Sequence, residues 1–255
     1  SCLALPRAWV PRRVSILRLP FFPADSAPYG IAIGLSWAST GMTIAVVPLL
    51  LDRQGLGAWS GPVIFLALFV GFLCQPLARR MSNPRALRLG LCLIPLGFAG
   101  LLAGAALHSI PLILLGTGLT SASSYGFTYL SALSEVSMLA PENRARATAG
   151  LFVYAYCGFS VPVIAAGGLA DRIGVVPAMS VFFGVQLACL AGLVIGLGVI
   201  TVIAANWSAL TGIIRLGLAA FLISAAMLAA GYLRDRALYL ASNITAAIAV
   251  FKLNL

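Results

Sequence analysis

Charge is what this sequence has least of. Lys, Arg, Asp and Glu make up 9% of its 255 residues, with six carboxylates and a single histidine. A soluble domain needs about a quarter of its residues charged to clothe its surface, so an envelope that faces water everywhere is excluded. Paired cysteines are missing too: Cys2, Cys74, Cys92, Cys157 and Cys189 form no CxxC, and the last four lie within apolar runs. They read as small buried hydrophobes and not as a metal site or disulfide framework. No nucleophile–base pair, metal-ligand spacing or phosphate loop occurs, and His108 falls in a loop, so neither enzymatic activity nor a cofactor is expected. Residues 1–28 are interrupted by Pro6, Pro11, Pro20, Pro23 and Pro28 and lack the apolar core of a cleavable signal. The chain begins with Ser1 and not Met, which fits a processed chain or a piece of a longer one.

What the sequence has in excess is hydrocarbon. Hydrophobic residues make up 61% of it and its mean hydropathy is +1.05. Apolar runs of roughly 20 residues recur, each long enough to cross a hydrocarbon core of about 30 Å. The expected fold class is all-α, a polytopic membrane helical bundle. Six spans are legible: A (29–51), B (58–78), C (87–107), D (111–139), E (147–168) and F (176–200). Punctuation between them is short, as at Asp52-Arg53-Gln54-Gly55 and Asp171-Arg172-Ile173-Gly174, which makes sequential helices antiparallel neighbours. Three segments follow: a cytoplasmic stretch 1–28, a six-helix unit 29–200, and an extra membrane segment 201–255 with a seventh helix over about 208–233.

Basic residues set the orientation. The N-terminal segment (Arg7, Arg12, Arg13, Arg18), the B–C loop (Arg79, Arg80, Arg85, Arg88) and the D–E loop (Arg144, Arg146) fall on one side. The other side has Arg53 and Arg172. This asymmetry predicts a cytoplasmic N-terminus in the cell (inner) membrane. It also accounts for the net charge of +10 without nucleic acid as a partner.

Against this background, TSASSYGFTYLSALSE (120–135) stands out, with ten of sixteen side chains bearing a hydroxyl or carboxyl. A lone hydroxyl in hydrocarbon is costly, so partners or water must lie close. At 100° per residue, Ser121, Ser124, Tyr125, Thr128, Ser131 and Glu135 project onto one stripe near mid-membrane depth, with Tyr129 one residue beyond Thr128. Such a stripe faces either a packed helix or a watery cavity. Span A carries Ser36, Trp37, Ser39, Thr40 and Thr43 at its middle, and span E carries Tyr154, Tyr156 and Ser160. Span C (LGLCLIPLGFAGLLAGAAL) has no polar side chain, and F has little beyond Ser180 and Gln186, so both are expected against lipid. First and fourth helices around a path, with third and sixth outside, is an arrangement of repeated three-helix units in transporters. Ser and Thr also serve as plain packing residues, and glycines such as Gly97, Gly100 and Gly104 as packing grooves. Glu135, the one acidic residue inside a span, reads as an interfacial salt-bridge partner of Arg144 or Arg146, or as a coupling group.

Two stretches carry a resemblance. QPLARRMSNPRALRLGL (75–91) resembles the cytoplasmic gating loop of the major facilitator superfamily, Gly-x-Leu-Ala-Asp-Arg-x-Gly-Arg-Arg. Leu77, Ala78, Arg80 and Arg85 fit, while Gln75 stands for the first Gly and Arg79 for the Asp. PENRARATAGLFVYAYCGFSVPVIAAGGLADRIGVVPAM (141–179) is similar to the last paired helices of that family. The resemblance covers about residues 15–200 and implies the C-terminal six-helix half of a transporter. It implies A and D as cavity-lining helices and Arg79, Arg80 and Arg85 as a cytoplasmic gate. Since such a half needs a complement, a second six-helix unit, a second copy or other membrane subunits are the expected partners, alongside the bilayer. The expected function is movement of a small solute by alternating access, with Trp37, Thr40, Ser121, Tyr125, Thr128, Tyr129 and Tyr154 along its path. A non-transporting structural subunit of a larger membrane complex is the alternative.

Overall fold

A computed structural model describes residues 19–205; the expected helix at 208–233 and the arginines before position 19 lie outside the described residues. The chain divides into two units, Ser1–Leu197 and Gly198–Leu255. The described architecture is all-helical. In order it has α1 (Ala27–Asp52), α2 (Ser60–Arg79), α3 (Asn83–Ala106), α4 (Ile110–Ser121), α5 (Tyr129–Leu139), α6 (Arg144–Ile173) and α7 (Val175–Ala205). Between α4 and α5 the backbone stays helical but widens to a π-helix over Ala122–Thr128. Among the described residues, α1, α2, α3, α6 and α7 are each long and apolar enough to cross a membrane. The α4–π–α5 composite is a further continuous rod of membrane-spanning length. The molecule is a helical membrane bundle in a lipid bilayer.

Turn chemistry follows the sequence. Gly55 takes a positive φ of 72° beyond α1, where the Leu56 N–H returns to the Leu51 carbonyl at 2.8 Å. His108 takes a positive φ of 52° after α3, while the Ser109 N–H closes onto the Gly104 carbonyl at 2.9 Å, the six-to-one bond of a Schellman end. Gly174 (φ 89°) joins α6 to α7 with its N–H on the Ala170 carbonyl. Pro84 and Pro111 sit in the first turns of α3 and α4, where their missing N–H groups have no intrahelical partner to lose.

Glycine sets how the rods pack. In the membrane, apolar surface does not drive helices together, so close approach of small residues must. The α3 helix runs antiparallel to the composite rod: Gly90 meets Thr128, Gly97 meets Thr120 and Gly104 meets Ile113, while Gly116 approaches the Leu101 backbone. The α1 and α6 helices run parallel, with Gly30 on Tyr154, Gly34 on Gly158 and Gly41 on Phe159 and Val163. Gly71 of α2 lies on Ser121 and Tyr125.

These seams correct one expectation. The most apolar stretch of α1 is 67% buried, that of α3 39%, those of α2 and α6 22%, and that of α7 only 6%. The third crossing is therefore not simply lipid-facing: Ile94, Phe98 and Leu101 are fully buried. Lack of polar side chains does not mark a helix as peripheral where its glycines let it dock. The interior is layered. Ile33, Ala132, Val136, Ala147, Leu151 and Ala155 form an apolar core toward the basic end. Val47, Leu51, Phe98, Leu101, Ile113 and Met179 form another toward the opposite end. Hydroxyls lie between them.

A Cβ added at Gly97 would stand 2.7 Å from the Thr120 backbone nitrogen, whereas one at Gly184 would meet nothing. Gly97→Ala should therefore destabilise the bundle by about 1–3 kcal/mol through overpacking. Gly184→Ala should instead stabilise it by about 0.5–1 kcal/mol through helix propensity. Thermal unfolding of both variants in mild detergent reads the opposite signs.

Candidate functional site

The hydroxyl layer is built around the π-helical turn. Ser121 donates to the Ala67 carbonyl and accepts the Gly71 N–H at 2.9 Å, which ties the rod to α2. Ser123 donates to the Gly90 carbonyl of α3 at 2.7 Å. Ser124 turns to α1, touching Thr40 and lying 3.0 Å from the Ser36 carbonyl. One turn earlier, Thr120 lies 3.3 Å from Thr43. From α7, Gln186 reaches into the same layer, donating to the Leu35 carbonyl at 3.0 Å and the Ser39 hydroxyl at 2.6 Å. From α2, Gln75 donates to the Tyr125 carbonyl at 3.2 Å.

The single polar stripe projected at 100° per residue is therefore corrected. A π-helical turn holds more residues than an α-turn, so positions beyond it slip in phase. The hydroxyls of this stretch meet different neighbours: Ser121 meets α2, Ser123 meets α3, and Ser124 meets α1 as well as the Thr120 carbonyl of its own rod at 2.6 Å. Ser131 bonds back to the Phe127 carbonyl at 2.8 Å. Small side chains at Ala122, Ser123, Ser124 and Gly126 let the widened turn sit against other backbones; a Cβ at Gly126 would stand 2.8 Å from Cys74. Ser123 escaped the sequence projection because it falls off the stripe, and its only signal was a glycine at the facing depth of span C.

Five buried polar atoms in the described residues have no partner: Ser36 Oγ, Trp37 Nε1, Thr117 Oγ1, Thr128 Oγ1 and the Gln186 Oε1. Of the residues expected along a solute path, Thr40, Ser121 and Thr128 are buried within helix seams. Tyr154 fills the α1–α6 seam over Gly30, its ring edge-on to Phe22 at 5.7 Å.

Trp37, Tyr125 and Tyr129 come together elsewhere. Trp37 packs edge-on against Tyr125 (5.7 Å), Phe152 (6.1 Å) and Tyr156 (5.6 Å), and Tyr129 leans on Phe152 at 6.1 Å. Trp37 is buried, Tyr125 and Tyr129 are half-buried, and Tyr156 is 59% exposed. Each of Trp37, Tyr125 and Tyr156 lies near the middle of its helix. Among the described residues no side chain or backbone group hydrogen-bonds the Tyr125, Tyr129 or Tyr156 hydroxyls. An aromatic face with free phenols thus opens sideways at mid-membrane depth.

At the basic end, Arg79, Arg80 and Arg85 are exposed. Asn83 pins their loop to α5 by donating to Ser134 at 3.0 Å. Glu135 lies beside the Tyr29 phenol. Arg146 instead donates to the Leu19 carbonyl at 3.0 Å and lies 5.8 Å from the Phe21 ring centre. Among the described residues no ion pair joins Glu135 to Arg144 or Arg146.

Comparison with known proteins adds one finding. Residues 169–253 match the model of a family described as a predicted membrane protein (DUF2157). No curated protein and no solved structure matches the chain. The matching family is not the major facilitator superfamily, and this overturns the resemblance read from residues 75–91 and 141–179. A Leu-Ala-x-Arg turn and a Gly-Leu-Ala-Asp-Arg-x-Gly hairpin are what any tight membrane connection with charged interfacial residues calls for, so they discriminate poorly.

Ser124→Ala removes the link from the π-helical turn to the Ser36 carbonyl and Thr40. Stability in detergent should fall by about 1 kcal/mol, within the range of hydrogen bonds in membrane bundles. Ser160→Ala, at an exposed position on α6, should leave the unfolding transition unchanged.

Proposed function

We propose that the chain is one unit of a solute-translocating membrane assembly, with a path running along its aromatic face against a second unit. The observation that carries this reading is the set of unpartnered phenols on Tyr125, Tyr129 and Tyr156 around Trp37 at mid-depth. A polar group without a partner in acyl chains costs several kcal/mol, so water or protein covers this face and lipid does not. Ring faces and hydroxyls together suit a small, largely uncharged or amphiphilic solute. The path excludes the hydroxyl layer, whose side chains are buried in the helix seams. On this reading Arg79, Arg80 and Arg85 line the cytoplasmic rim, with the N-terminus on the same side.

A second reading rests on that same hydroxyl layer. Its dry packing suits a rigid structural subunit whose aromatic face docks a neighbouring membrane protein. Particles purified gently from native membranes and reconstituted in liposomes separate the two. Translocation predicts saturable uptake from a panel of labelled neutral solutes, reduced about tenfold by Trp37→Phe with Tyr125→Phe, and unchanged by Ser160→Ala. A stoichiometric second membrane subunit with no uptake by the intact particle supports the structural role. Uptake indifferent to the double substitution contradicts the assigned path.

A further inference from the structure

On the side of the bundle opposite the arginine-rich loops, a cleft of about 360 Å³ opens between α1, α6 and α7. Its walls are apolar: Met42, Val46, Leu49, Val163, Ala166 and Met179. Its mouth is not. Arg53, the C-cap residue just beyond α1, and Asp171, two residues before the end of α6, both line it and both are exposed. Among the described residues these two charges form no ion pair with each other or with any other side chain.

Depth fixes the geometry. Both charges lie at helix ends, where a spanning helix meets the headgroup layer. Met42 lies eleven residues before Arg53 on α1, which puts the inner wall about 16 Å below the mouth at 1.5 Å per residue. An apolar slot of that length below an interfacial charge pair has the shape of one acyl chain hanging from its headgroup. Gly167 lines the slot, and a Cβ there would meet nothing. The adjoining α6–α7 turn passes through Gly174, whose φ of 89° is one that side chains resist.

From this we infer that the cleft is a binding site for one zwitterionic phospholipid. Its phosphate sits on the Arg53 guanidinium, its ammonium on the Asp171 carboxylate, and one acyl chain lies between Met42 and Met179. Charge complementarity selects the occupant. A bidentate-capable guanidinium favours phosphate, but an anionic headgroup of one sign would leave Asp171 facing like charge. A neutral amphiphile would leave both charges unused. The site is distinct from the aromatic face and does not depend on its role.

The full-length chain in mild detergent, titrated with phosphatidylethanolamine or phosphatidylglycerol of matched acyl chains and followed by native mass spectrometry, tests this. One phosphatidylethanolamine per chain should be retained, with about a tenfold preference over phosphatidylglycerol, the scale of one charge-assisted hydrogen bond. Asp171→Asn should abolish the preference, and Arg53→Gln should weaken both lipids. Gly167→Leu should remove the retained lipid by filling the slot. Both charge substitutions are on exposed side chains, so the unfolding transition should not move. Inorganic phosphate with ammonium should not displace the lipid; displacement would assign the mouth to free ions and overturn the lipid assignment. Equal retention of both lipids, or retention undiminished in Gly167→Leu, would overturn it as well.

Discussion

The structure depends on one constraint: packing at mid-membrane depth is held by hydroxyls that reach oxygens and nitrogens of the protein, with Ser36, Thr117 and Thr128 left as buried exceptions. Ser121 and Ser123 satisfy it by reaching backbone carbonyls of α2 and α3, and Ser124 lies between the Ser36 carbonyl of α1 at 3.0 Å and the Thr120 carbonyl of its own rod at 2.6 Å. Those carbonyls are already committed to their own helices, yet a second lone pair remains available on each. Over the same stretch the rod widens into the π-helical turn Ala122–Thr128. Everything else accommodates that turn. Gly71 and Gly90 clear space for it, Gln75 takes the Tyr125 carbonyl, and the apolar cores lie above and below.

The same accounting separates two kinds of polar residue that look alike in a sequence. Ser121, Ser123, Ser124 and Thr43 of the central layer are consumed by packing, while Ser36, Thr117 and Thr128 are buried in the seams without a partner. Phenols on the open face are not consumed. Trp37 stands at the border between the two, buried and ringed by Tyr125, Phe152 and Tyr156, with an indole N–H that has no acceptor. Function is therefore sought where hydrogen-bonding capacity is left over and not where it is densest.

Much of the fold was legible in the sequence. Hydropathy and punctuation placed the helices to within a few residues, because span length is imposed by bilayer thickness and loops by Gly, Pro and charge. The central place of α1 and the composite rod was legible from their hydroxyls. Two features were not. A helical projection assumes a constant 100° per residue, and nothing in ASSYGFT announces the wider turn Ala122–Thr128; Ser123 falls off the projected stripe, and a polarity stripe carries no weight for a residue beside it. The burial of α3 was hidden because Gly90, Gly97 and Gly104 act through the absence of a side chain, which a polarity argument cannot weigh. Of the candidate site, Trp37, Tyr125 and Tyr129 do gather, whereas Thr40, Ser121, Thr128 and Tyr154 are spread through seams. Loop motifs misled for a physical reason as well: short membrane hairpins draw on the same few residues whatever family they serve.

The central claim is that the hydroxyl layer is dry while the aromatic face meets water or protein. Cysteine accessibility in native membranes tests it most directly. Single cysteines at positions 124 and 156, in a chain whose five native cysteines are replaced by alanine, are exposed to a charged, membrane-impermeant thiol reagent and to a lipid-soluble one. The account predicts that position 156 reacts with the charged reagent or is shielded by a protein neighbour that can be cross-linked to it, while position 124 reacts with neither. Rapid charged labelling at 124, together with labelling at 156 by the lipid-soluble reagent alone, would contradict it.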